Sequence, residues 1–75
     1  MTTHEENYNE FKLSYEDDYK KFISSLLNLS GSRMNDIIDT ALKSYFKTSL
    51  SQYNINCIKS YIIDDIKHLS IEVLR

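Results

Sequence analysis

The stretch NEFKLSYEDDY, residues 9–19, carries two periodicities that lead to two different folds. Taken every second residue, Phe11, Leu13 and Tyr15 are apolar and Glu10, Lys12 and Ser14 are polar, the pattern of a two-faced strand. Taken every third or fourth residue, Tyr8, Phe11, Tyr15, Tyr19, Phe22 and Leu26 form a helical stripe. The strand accounts for more residues between 9 and 15. It gives Leu13 an apolar face, and it frees Ser14 to cap a following helix by accepting from the amide of Asp17. Glu16, Asp17 and Asp18 then fall in that helix's first turn, where carboxylates complement the positive end of the dipole. A lone strand cannot satisfy its own backbone groups, so this reading predicts pairing with a second copy.

Outward from this stretch, DDYKKFISSLLNL predicts a helix ending near Leu29, with Gly31 as a left-handed C-terminal cap. Ser32 is then the expected N-cap of RMNDIIDTALKSYFK, whose apolar face comprises Met34, Ile37, Ile38, Ala41, Leu42, Tyr45 and Phe46. After the polar stretch TSLSQYN, a stripe of Ile55, Ile58, Ile62, Ile66, Leu69 and Val73 predicts a third helix from about 52 to 73. The expected organisation is a flexible acidic arm over 1–8, a dimerisation core over 9–48, and a C-terminal helix for packing or oligomerisation over 51–75. The expected fold class is mainly α with one short N-terminal β-strand.

Composition narrows the chemistry. The single cysteine, Cys57, excludes an internal disulfide framework and reads as an apolar filler of the third helix. His4 and His68 stand far apart without neighbouring ligands, so no metal is expected. The EDD run at 16–18 is explained by the helix dipole, and no nucleophile–base pair, phosphate loop or cofactor motif occurs; the chain reads as a non-enzyme without cofactors. Neither a membrane span nor a signal-peptide pattern is present, so a cytoplasmic protein without a membrane partner is expected. The formal net charge of −2 is unevenly placed, with six acids against Lys12 alone in residues 1–18 and a basic excess over 19–50.

The segment EFKLSYEDDYKKFISSLLNLSGSRMNDIIDTALKSYF, residues 10–46, resembles the ribbon-helix-helix repressors of the Arc and methionine-repressor superfamily without gaps, over about half the chain. The resemblance implies a homodimer in which two strands form an intermolecular antiparallel ribbon that enters the DNA major groove, with an added C-terminal helix. Glu10, Lys12 and Ser14 would read base edges. Phe11, Leu13 and Tyr15 would turn inward and form the dimer core with Phe22, Ile37, Ile38 and Leu42. Ser32, Arg33 and Asn35, at the start of the second helix, would hold a backbone phosphate. The implied function is a sequence-specific DNA-binding transcriptional repressor over a core of residues 9–48, from a plasmid, phage or virus, with double-stranded DNA as partner. Residues 51–75 lie outside the resemblance and are expected either to pack on the dimer or to join dimers into higher oligomers.

Two alternatives rest on other readings of the same residues. In one, the dimer is an antitoxin-like autoregulator whose C-terminal helix binds a toxin. In the other, residues 7–29 form one long helix and the protein is an all-helical protein–protein interaction module that binds no DNA.

Overall fold

The computed structural model describes residues 3–74, with only the backbone described at 73 and 74. The chain forms α1 (His4–Ser14), a single 3₁₀ turn (Glu16–Asp18), α2 (Tyr19–Ser24), α3 (Gly31–Phe46) and α4 (Gln52–Leu74). No strand occurs among the described residues. The expected β-strand is therefore replaced by helix, and a ribbon-helix-helix dimer built on that strand is not the fold of this chain.

Local interactions explain why helix wins over 9–14. Thr3 caps α1, its hydroxyl accepting from the Glu6 amide at 3.0 Å, and Glu5 and Glu6 occupy the first turn. Five residues of the expected flexible arm, His4 to Tyr8, thus belong to α1, and Asn7 is buried. Helical spacing sends Phe11 into the core and leaves Leu13 75% exposed, the reverse of what a shared strand face requires.

The break after α1 is made by residues without the usual left-handed preference. The Ser14 hydroxyl donates back to the Phe11 carbonyl at 2.6 Å instead of capping the next helix. Glu16 then takes a positive φ of 52°, and the three acids form a 3₁₀ turn. α2 ends at Ser24, short of the predicted Leu29. The amides of Leu26, Leu27 and Leu29 each bond a carbonyl three residues back, in tighter turns. Gly31 has no positive φ; it is the first residue of α3, and Ser30, not Ser32, is the N-cap. Lys47, at φ 57°, closes the other end of α3.

α4 is the base on which α1, α2 and α3 all pack. Ser51 starts it by accepting from the Asn54 amide at 3.3 Å. Ile55, Ile58, Ile62, Ile66 and Leu69 lie on one face of α4 and are buried within the chain. α1 and α2 cover one edge of that face and α3 covers the other, with Phe11, Ile23, Ile38, Leu42 and Phe46 as their buried contributions and Leu26 added from the turns after α2. Several residues expected to bury between two copies are thereby consumed inside one: Phe11, Ile38 and Leu42 are buried, and Tyr15 and Phe22 pack against the core. Leu13 and Ile37 remain exposed.

Phe11→Ala should destabilise the chain by about 3–5 kcal/mol, since it empties a buried aromatic site, whereas Leu13→Ala should change stability by less than about 0.5 kcal/mol. Urea denaturation of the two variants checks this. Comparable losses would indicate that both residues share a buried face.

Candidate interaction surface

Two carboxylates fix the covering helices to the two edges of α4. Asp65 of α4 accepts hydrogen bonds at one oxygen from the hydroxyls of Tyr8 in α1 and Tyr19 in α2, the latter at 2.6 Å. The Lys12 ammonium lies 5.0 Å from the centre of the Tyr8 ring and 5.4 Å from that of Tyr19, in cation–π contact with both. Tyr8 also stacks on Tyr61 of α4, with centroids 5.1 Å apart. Burial, and then the bonds to Asp65, push the hydroxyl pKa values of Tyr8 and Tyr19 well above that of free tyrosine.

On the opposite edge, Asp39 of α3 accepts from Gln52 at 3.0 Å and pairs with Lys43 at 2.9 Å and Lys59 at 3.5 Å. The hydrogen bonds from Lys43 and then Gln52 hold its carboxyl below the usual aspartate range. With both edges fastened, α1 and α3 face each other across a gap and barely touch. Their meeting point is the edge-on contact of Phe11 with Tyr45, with centroids 5.8 Å apart.

Three open hollows adjoin along this side of α3, neighbours sharing Ala41 and Ser44 or Tyr45, and together they outline a groove. The middle is walled by Ser14 and Tyr15 of α1 and by Ala41, Ser44 and Tyr45 of α3, with Phe11 beneath. One end extends along α3 past Thr40 to Ile37 and Asp36. The other runs between Glu10 and Asn7 on one side and Phe46 and Leu50 on the other. Ile37 and Tyr45, 37% and 40% exposed, are its largest uncovered apolar side chains.

The residues expected to contact DNA are distributed differently from a ribbon. Glu10 and Ser14, four apart on α1, both face the groove, while Lys12 points away to the tyrosine pair. The three do not form one outward face. At the start of α3, the Arg33 amide bonds the Ser30 hydroxyl at 3.3 Å and the Asn35 side chain donates to the Gly31 carbonyl at 2.8 Å. Ser32 and the Arg33 side chain are exposed there.

No family model matches this chain, and no curated protein or solved structure matches it either. Among the described residues, no helix is long and apolar enough to cross a membrane. Sequence reasoning placed Phe11, Tyr15, Ile37, Ala41 and Tyr45 on buried faces and Glu10 and Ser14 on a ribbon, and missed that α1 and α3 leave a groove between them. The spacing of Ile37, Ala41 and Ser44 was a usable signal, since it makes a second, small-residue stripe beside the Ile38–Leu42–Phe46 face.

The tyrosine pair gives a pH prediction. In the unfolded chain tyrosine ionises near pH ~10, and in the folded chain it ionises higher. The associated stability is present below pH ~10 and is lost as pH rises from there toward the native values. Urea denaturation between pH 8 and 11 (about two units below to one above the free-tyrosine value) should show a decline that is shallower in Tyr19→Phe. An unchanged slope in that variant would mean that the Asp65 bonds do not hold Tyr19 protonated.

Proposed function

We propose that this protein is an all-helical protein–protein interaction module, and that the groove between α1 and α3 seats a helix of its binding partner. The observation that carries this is the uncovered groove itself: an aromatic floor of Phe11 and Tyr45, lined by the small residues Ser14, Ala41 and Ser44. Small side chains let a third backbone approach closely, and aromatic side chains supply apolar area without much loss of side-chain freedom. From Asp36 to Phe46 the α3 side of the groove runs for roughly 15 Å at the helical rise. That length accommodates about three turns of an amphipathic helix, the dimension of helix-in-groove recognition.

The charge on α1 also favours a protein partner. Glu5, Glu6, Glu10, Glu16 and Asp17 are all exposed on or just after α1, and Glu10 lines the groove. A surface of that sign repels a phosphate backbone, whose neutralisation by Lys and Arg supplies most of the affinity of nucleic-acid binding.

Selection from a displayed library of random helical peptides against the immobilised protein tests this reading. Enriched peptides should carry apolar residues at i, i+4 and i+7, and should lose binding at least about tenfold to Ala41→Glu. They should bind Ser60→Glu, on the exposed face of α4, as they bind the wild type. Peptides insensitive to Ala41→Glu, or enrichment only from a parallel pool of random DNA duplexes, would contradict the proposal.

A further inference from the structure

We infer that the helix seated on this groove belongs to a second copy of the chain, through an antiparallel, two-fold pairing of α3 with its counterpart. The inference rests on the reading of the groove as a helix-docking site and names its occupant. A two-fold interface places the same patch on both subunits, so the patch must complement itself. The exposed edge of α3 does so in charge. Asp36 lies near its N-terminal end and Lys47 at its C-terminal end, both exposed and neither in an ion pair among the described residues. They are eleven residues apart, or about 16 Å along the axis, and the midpoint falls between Ala41 and Leu42.

An antiparallel partner turned about that midpoint brings Asp36 of each copy opposite Lys47 of the other, so two ion pairs form at the ends. At the centre, Thr40, Ala41 and Ser44 leave room for the two helices to cross at short distance. Ile37 of each copy then lies beside Ser44 and Tyr45 of the other, and the two most exposed apolar side chains of the groove are covered together.

The same charges disfavour a partner of a single sign. Asp36 and Lys47 carry opposite signs at the two ends of the α3 rim, so a helix of uniform charge, basic or acidic, is attracted at one end and repelled at the other. Only an occupant with opposite charges at its two ends, in reversed order, satisfies this rim. α3 itself has that pattern.

Sedimentation equilibrium of the full chain tests the inference. The wild type should show a concentration-dependent monomer–dimer equilibrium. Asp36→Lys and Lys47→Glu should each weaken self-association by about tenfold, because each turns two attractions into two repulsions. Mixed in equal amounts, the two variants should associate at least as tightly as the wild type, because all four facing charges are then opposite. Both positions are exposed, so circular dichroism of each variant should match the wild type.

A wild type that stays monomeric up to about 1 mM would overturn the second copy as occupant. The peptide selection would still decide whether the groove docks a helix. A dimer indifferent to both charge changes, or a mixture that fails to recover association, would overturn the antiparallel α3 pairing.

Discussion

The structure depends on the burial of one face of α4. Ile55, Ile58, Ile62, Ile66 and Leu69 recur at helical spacing over four turns, and each side chain removed from water contributes about 1.5–3 kcal/mol. α1, α2 and α3 each pack on this face more than on one another. The remaining features follow from that asymmetry. Two helical segments and a third lie side by side on one helix, with a seam between them that α4 cannot close.

Polar groups decide where on α4 each covering helix sits. A hydrophobic stripe permits sliding, because apolar contact has little directionality. Asp65 and Asp39 remove that freedom at opposite edges, one by accepting from two tyrosines and the other by holding Gln52, Lys43 and Lys59. By fixing α1 and α3 laterally, the carboxylates also fix the width of the groove. Interaction surface and core packing are consequently two results of one arrangement.

The sequence was most legible where a stripe was long and unbroken. α4 emerges from the isoleucine spacing almost to the residue, and α3 from Ile38, Leu42 and Phe46, with its start displaced by two residues because Ser30 and Ser32 are equally good caps. The N-terminal third was misread for a specific reason. Phe11 and Tyr15 are four apart and fit a strand face and a helix face equally, so Leu13, the expected Ser14 cap and the three acids after it favoured the strand. The counter-signal was upstream: Thr3 followed by Glu6 is a capping-box spacing that marks a helix start at His4, seven residues before the supposed strand face begins at Phe11. Chain breaks were harder still, because the single glycine lies in a helix and the positive-φ positions are held by Glu16 and Lys47. The groove could not be located until α1 was helical, since half of its wall comes from that helix.

Everything proposed for the groove requires α1 to be a helix docked on α4 within one chain. Backbone chemical shifts and nuclear Overhauser contacts over residues 9–15 measure this directly. The structure predicts helical shifts through Ser14, a break at Glu16, and intramolecular contacts from the Phe11 ring to Tyr45 and Phe22. Extended shifts over Phe11, Leu13 and Tyr15, with backbone contacts to the same residues of a second chain, would contradict it.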